Sequence, residues 1–282
     1  MRRLKILHRT YYNFSGVVTL QPHRLLLRPR EGPELRIETS KLEISPAAKI
    51  RWFRDAYDNA VALATFTAAS SQLAIISECT VQQFDETPLD FLVADFAVNY
   101  PFQYDAESLE VLDPYLGHTS DERAALGPWV SQYYRPGEPL QTYGLLARLC
   151  TAIKETLIYQ VREQPGVQTP AQTLALGTGS CRDFANLFMQ AARHLGLAAR
   201  FVSGYLDAPY ADGRGGSTHA WAEVYIPGAG WKGFDPTGGE IAGSRHIAVA
   251  VARRPEVVSP VTGTFIGPPG SSLTVGVWVS AL

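Results

Sequence analysis

The chain has 282 residues, 46% of them hydrophobic and 18% charged. That composition excludes intrinsic disorder, which needs apolar-poor, charge-rich sequence. The 25 Lys and Arg against 27 Asp and Glu leave a net charge of −2, with no electrostatic footprint for nucleic acid or an anionic membrane surface. Three cysteines in this length are no disulfide framework and suit a reducing, cytoplasmic setting. Lys5, His8 and Arg9 interrupt the N-terminal run before a signal-peptide core forms. No stretch approaches the roughly 18 apolar residues of a spanning helix. At roughly 150 residues per domain, two domains are expected.

The first 85 residues read as β-structure. Arg2–Asn13, Arg24–Arg28, Leu35–Ser45, Lys49–Asp55, Ala60–Thr67 and Leu73–Phe84 are short runs rich in β-branched and aromatic residues, and Pro29–Pro33, Ser45-Pro46 and Asp58-Asn59 separate them. Many short strands at near-regular spacing predict an antiparallel sandwich. Residues 86–138 read as a connecting segment, punctuated by Pro101, Pro114, Pro128 and Pro136 and followed by Pro139, with a short helix near Ser120–Tyr134 interrupted at Gly127-Pro128. The pattern turns helical at 139. Leu145, Leu146, Leu149, Ile153 and Leu157 share one face of a helix over Tyr143–Tyr159. Phe184, Leu187, Phe188, Ala191, Ala192 and Leu195 do the same over Arg182–Leu195, with Gly196 placed to end that helix. Strands follow at Ala199–Leu206, Thr218–Ile226, Gly230–Phe234, His246–Val251 and Leu273–Val279. The fold class is α+β, with a β-rich unit over 1–85, a connection over 86–138 and a mixed core over 139–282.

The cysteines differ in setting. Cys79 in a strand and Cys150 beside Leu149 on a helix read as small buried hydrophobes. Cys181 follows Gly177-Thr178-Gly179-Ser180 and opens the amphipathic helix. A helix N-terminus offers free N–H groups and partial positive charge, which favour a thiolate and could hold an oxyanion. Position alone divides evenly between a nucleophile and a residue that merely starts a helix.

A nucleophilic cysteine needs a base and an orienting group. His8 and His23 fall in the β-rich unit, His118 in a turn-rich stretch, His194 in the last turn of a helix and His246 at a strand start; each reads as structural or surface. His219 opens a strand whose odd positions, His219, Trp221, Glu223 and Tyr225, share one face. Pro227–Gly230 turns it back into Trp231–Asp235, an antiparallel hairpin. Any even register sum puts His219 and Asp235 on one face, and a sum of 454 sets them directly opposite. Asp235 would then accept one imidazole proton and leave the other ring nitrogen for the thiol. Alone, an aspartate before Pro236 reads as a turn starter.

Together these residues resemble a known family. Gly179-Ser180-Cys181-Arg182-Asp183-Phe184-Ala185, His219-Ala220-Trp221-Ala222-Glu223-Val224 and Phe234-Asp235-Pro236-Thr237 are similar to the motifs of the bacterial transglutaminase-like superfamily, papain-like Cys-His-Asp proteins. His8-Arg9-Thr10-Tyr11-Tyr12, Ser15 and Leu26-Leu27-Arg28-Pro29 resemble the β-rich domain that precedes the core in one bacterial branch. The resemblance implies a papain-like core, with Cys181 as nucleophile, His219 as base and Asp235 as orienting carboxylate. Branch members often have Val and Gln where this chain has Ser180 and Arg182, and an acidic residue where it has Ala252-Arg253-Arg254-Pro255.

The expected activity is thiol-dependent acyl transfer on a peptide or protein substrate. The resemblance favours a cysteine peptidase or amidase; a transglutaminase using an amine acceptor and a catalytically silent peptide-binding scaffold are the alternatives. Asp183 reads first as a favourable first-turn charge, and Trp221 as a shield or an ordinary buried aromatic. Tyr159, Gln164 and Gln172 are open candidates for a second oxyanion donor. No metal or phosphate motif is present, so no cofactor is expected. Gly213–Gly216 reads as a flexible loop ahead of His219 that gates access.

Overall fold

The computed structural model describes residues 1–84, 89–117, 120–208, 216 and 218–282, with backbone only at 120–123. The strands in chain order are β1 (Arg2–Leu20), β2 (His23–Leu25), β3 (Leu35–Ser45), β4 (Ala48–Arg54), β5 (Ala60–Phe66), β6 (Ser70–Gln83), β7 (Asn99–Tyr100), β8 (Leu140–Gln141), β9 (Ile158–Tyr159), β10 (Thr178–Gly179), β11 (Ala199–Leu206), β12 (His219–Ile226), β13 (Gly230–Asp235), β14 (Glu240–Ile241), β15 (His246–Ala252), β16 (Val261–Thr262), β17 (Phe265–Ile266) and β18 (Ser271–Ala281). The α-helices are α1 (Ala106–Leu112), α2 (Ser120–Val130), α3 (Thr142–Thr156), α4 (Pro170–Leu176) and α5 (Cys181–His194). The class is α+β with antiparallel main sheets.

The N-terminal strands form two sheets, β17-β1-β6-β3 with β18 also on β1, and β16-β2-β5-β4. Val18, Leu20, Leu25, Leu27, Ala62, Ala64, Leu73 and Ile75 fill the space shared by the two, as alternating inward residues of a sandwich do. The reading carried 139–282 as one unit, yet β18 runs beside β1 from Leu4↔Ala281 to Phe14↔Ser271. The chain therefore returns to the sandwich after completing the mixed core.

The core is a five-stranded sheet, β14-β13-β12-β11-β15, packed against α5. Ala220, Ala222, Val224 and Ile226 of β12 join Phe184, Leu187 and Phe188 of α5 in one cluster, and Phe188 stacks on Phe234 at 5.3 Å. The apolar stripe predicted for this helix is the stripe it buries. Gly196 takes φ 76°, the left-handed conformation that ends helices and suits a residue without Cβ. Pro128 sits inside α2, so that helix passes the expected break and stops two residues later. α4 was not anticipated; Thr169 and Gln172 form a capping box around Pro170, a start signal written in the sequence.

Sandwich and core share buried contacts. Leu4, Ile6, Cys79 and Val81 cluster with Tyr205, Ile247 and Val249. Asn59, wholly buried at the β4–β5 turn, pairs with β15: its Nδ2 donates to Val251 O at 2.9 Å and its Oδ1 accepts from Val251 N at 2.9 Å. A side-chain amide thus mimics one ladder step and ties the two parts together.

Candidate active site

Cys181 is the first residue of α5 and is partly exposed. The turn before it is pinned by Asp183, which has no solvent exposure. Its Oδ2 accepts from Ser180 N and Oγ at 2.8 and 2.7 Å, and its Oδ1 from Arg162 Nη1 at 2.7 Å and Gln168 N at 2.8 Å. Burial opposes the ionised carboxylate, but these hydrogen bonds outweigh it and hold Asp183 below the usual carboxylate range. Arg182 reinforces the arrangement by donating to the carbonyls of Arg162 and Gln164. The two residues after the cysteine therefore clamp the 162–168 loop onto the helix start. The departure at Arg182 has a structural use.

β9 pairs in parallel with β10, which sets Tyr159 beside Gly179, two residues before Cys181. The Tyr159 ring meets Phe184 edge-on at 6.3 Å. Burial and the neighbouring Cys181 raise the Tyr159 phenol above its ordinary value. Gln172 Oε1 accepts from the Thr169 N–H at 2.9 Å. Cys79 and Cys150 are buried, and burial pushes both thiols up. Their sulfurs donate at 3.5 Å to Ser40 Oγ and Glu240 O.

The β12–β13 hairpin is in register sum 456, with Ile226↔Gly230, Tyr225↔Trp231 and Ala222↔Phe234. The sum differs from the 454 that would set His219 directly opposite Asp235. The turn takes three residues, Pro227–Ala229, between the closing pair. The parity is even, so the shared face survives. His219 lies two residues from the position opposite Asp235, and the long imidazole spans the diagonal: His219 Nε2 and Asp235 Oδ2 are 2.7 Å apart. Cys181 acts on the same ring as a second hydrogen-bonding and charge neighbour. Burial works against a charged His219, and the bonds to Asp235 and Cys181 more than offset it, so its basicity is raised.

Asp235 is 2% exposed and accepts four bonds. Thr237 N and Gly238 N donate to Oδ1 at 2.9 and 3.4 Å. His219 Nε2 and His246 Nε2, at 2.7 and 3.0 Å, both donate to Oδ2. Burial disfavours the charge, but the two imidazoles overcome it and keep Asp235 well below its ordinary value.

His246, expected from the sequence to be structural or on the surface, is 8% exposed and part of the cluster. No periodicity marks it. It arrives because residues 242–245 carry the chain from β14, beside β13, to β15 at the opposite sheet edge. Gly204 of β11 pairs with His219 on one side and Ala248 on the other. A Cβ there would lie 2.3 Å from Ile247 O and 2.6 Å from Trp221 Cη2, so only glycine lets the buried indole lie across β11. The Trp221 ring then meets His246 edge-on at 5.2 Å.

The donor atoms of His219, Asp235 and His246 lie within 4.8 Å of one another, a spacing within reach of a metal ion. The hydrogen bonds give a different account. Gly243 N–H donates to His246 Nδ1 at 3.2 Å, so the proton of a neutral ring sits on Nε2, which then has no lone pair for a metal. The trio reads as two donors on one carboxylate. Residues 209–215 and 217, which include most of the expected gating loop, lie outside the described residues, as does His118. Gly216 forms a bridge with Val277 of β18, each N–H donating to the other's carbonyl at 2.8 Å.

Two family models match the chain. Residues 135–236 match the transglutaminase-like superfamily core, and residues 4–82 match the bacterial transglutaminase-like N-terminal region. The chain belongs to the transglutaminase-like superfamily. Relatives include an uncharacterized protein of Mycobacterium tuberculosis, 29% identical over 279 residues and spanning 93% of this chain and 87% of the relative. Another, from Mycobacterium leprae, is 25% identical over 288 residues and covers both chains fully. A crystal structure from Cytophaga hutchinsonii, named "Putative Cysteine Protease", superimposes with TM-score 0.72 over 100% of this chain and 91% of that one at 18% identity. That likeness establishes a shared fold. Superfamily membership supports a thiol-dependent enzyme in general terms. Among the described residues, no helix is long and apolar enough to cross a membrane.

Proposed function

We propose that this transglutaminase-like protein is a cysteine peptidase or amidase that cleaves peptide or isopeptide amide bonds through an acyl-thioester on Cys181. The observation that carries the reading is the His219 ring set between Cys181, which acts on its basicity, and a buried Asp235 hydrogen-bonded to its Nε2. The name borne by the Cytophaga hutchinsonii structure points the same way.

In this reading Cys181 Sγ attacks the amide carbon, and His219 holds the proton between its Nδ1 and the sulfur. His219 passes that proton to the leaving nitrogen as the C–N bond breaks, leaving an acyl-thioester. The base then takes a proton from water, hydroxide attacks the thioester, and the sulfur departs to restore the starting pair. Asp235 keeps the imidazole in the Nε2–H tautomer and balances its positive charge throughout. The N–H of Cys181, at the first turn of α5, faces the developing oxyanion as one donor.

The test is product partition. The full chain is incubated with peptide amides and a primary amine, and the acyl products are separated by mass spectrometry. Free acid that disappears in Cys181→Ala supports hydrolysis. An amine adduct exceeding the free acid makes transamidation the correct assignment, and no turnover with any amide leaves a binding scaffold.

A further inference from the structure

His246 shares an acceptor atom with His219. Both Nε2 atoms converge on Asp235 Oδ2, at 3.0 and 2.7 Å, while Oδ1 is held separately by the backbone N–H groups of Thr237 and Gly238. The carboxylate is therefore already oriented by its own turn. A second imidazole on Oδ2 adds something other than orientation: it competes with His219 for the negative charge.

His246 is held at both its ring and its backbone. Gly243 N–H occupies its Nδ1 at 3.2 Å. Gln83 Nε2 of β6 donates to its backbone carbonyl at 3.3 Å. Trp221 covers the ring edge-on. The titratable groups that face this cluster are Cys181 from α5, Tyr159 from β9 and Cys150 from α3, the last two coupled to Asp235. Glu240 on β14 acts on Cys150 and is ion-paired with Arg245. None of them supplies a second donor to Oδ2.

We propose that His246 is a positioning residue of the candidate active site, an Nε2–H donor that shares Asp235 Oδ2 with His219 and so limits how firmly His219 keeps its proton. The inference deepens the acyl-transfer reading and rests on it. A carboxylate serving only His219 would grip that proton more tightly, and His219 would yield it less readily to a leaving amine. The second donor is the device by which a dry carboxylate is kept from over-stabilising the imidazolium.

The experiment is a histidine-selective 15N NMR titration of the full chain carrying Cys181→Ser, alone and combined with His246→Phe or His246→Gln. The expected result has two parts. The His246 proton is found on Nε2, with Nδ1 accepting from Gly243 N–H. The His219 midpoint rises by about half a pH unit or more in His246→Phe, which keeps the ring but loses the donor, and returns in His246→Gln, whose amide donates from a similar position. A His246 proton on Nδ1 overturns the proposal even if His246→Phe does not fold. So does an unchanged or lowered His219 midpoint in a folded His246→Phe. The acyl-transfer reading fails separately: its thiol–imidazole coupling is absent if Cys181→Ser leaves the His219 midpoint where it stands in the unsubstituted chain.

Discussion

His219 and Asp235 meet across a diagonal of the β12–β13 ladder, two residues off direct opposition, at 2.7 Å between Nε2 and Oδ2. The bond leaves Nδ1 for Cys181 and makes Asp235 the group that selects the tautomer. In Asp235→Asn the shape is retained, but the amide can donate where the carboxylate only accepted. Either it turns its NH2 toward His219 and forces the wrong tautomer, or it offers a neutral oxygen that cannot balance an imidazolium. Amide hydrolysis by Asp235→Asn is expected to fall by roughly 10²–10⁴-fold in kcat with KM little changed. Steady-state kinetics check this; a loss under threefold would detach Asp235 from the chemistry.

The three thiols are distinguished by exposure and partners. Cys181 is partly open and neighbours the His219 imidazole, whereas Cys79 and Cys150 are buried with raised thiols. Limited iodoacetamide treatment of the folded chain near neutral pH is expected to label Cys181 at least about tenfold faster than either of the others, because alkylation needs an accessible thiolate. Peptide mapping gives the three rates. His219→Ala is expected to slow only the Cys181 rate. Equal labelling of all three, or a Cys181 rate indifferent to His219, contradicts the arrangement.

How far the sequence carried this site depends on which interactions are local. That His219 and Asp235 share a face follows from parity alone, and parity is set by a pattern of period 2. The register sum of 456 is set by the three-residue turn at 227–229, which the residues Pro227-Gly228-Ala229-Gly230 do not specify uniquely. α5 was legible because its stripe and Gly196 are local signals. α4 carries an equally local signal in the capping box of Thr169 and Gln172. His246 was not legible, because its approach to Asp235 depends on the 242–245 crossing and on the space left by Gly204, features created only by packing. The return of β18 to β1 joins residues more than 250 positions apart, beyond any local pattern.

Asp183 is the joint between the helix start and the 162–168 loop. Asp183→Asn removes the charge that pairs with Arg162 and leaves a guanidinium whose side chain is only 17% exposed without its partner. The expected cost is about 3 kcal/mol of stability, since breaking a buried pair strands the remaining charge. Urea unfolding monitored by tryptophan fluorescence measures it, with the midpoint falling and the slope unchanged. Alkylation of Cys181 should change in the same variant at low urea, where the chain is still folded, because the clamp on its turn is released. A midpoint equal to that of the parent would mean that the loop is held by Arg182 and Gln168 alone.

His8 gives a pH test of the contact between the sandwich and the core. Its Nδ1 lies 3.1 Å from Tyr205 Oη and its Nε2 2.8 Å from Thr10 Oγ1, and Tyr205 Oη itself donates to Leu27 O at 3.0 Å. Tyr205 therefore accepts from Nδ1–H and Thr10 donates to Nε2, which defines a neutral ring. Burial lowers its pKa to about 4, against 6.5 unperturbed. For a histidine with a depressed folded value, the unfolded chain binds the extra proton between those limits, so stability falls as pH drops from 6.5 to about 4. The full loss from this one group is about 3 kcal/mol. His219 does not offset it, because its raised basicity contributes stability that is already complete below 6.5 and is lost only as pH rises. Asp235 and Asp183, depressed carboxylates, lose their contributions only as pH falls below about 4. Urea midpoints at pH 7 and pH 4.5 are expected to differ strongly in the parent and much less in His8→Leu, which removes the titrating ring while keeping an apolar filling between β1 and Tyr205. An identical pH dependence in both proteins would show that His8 is not the group that titrates.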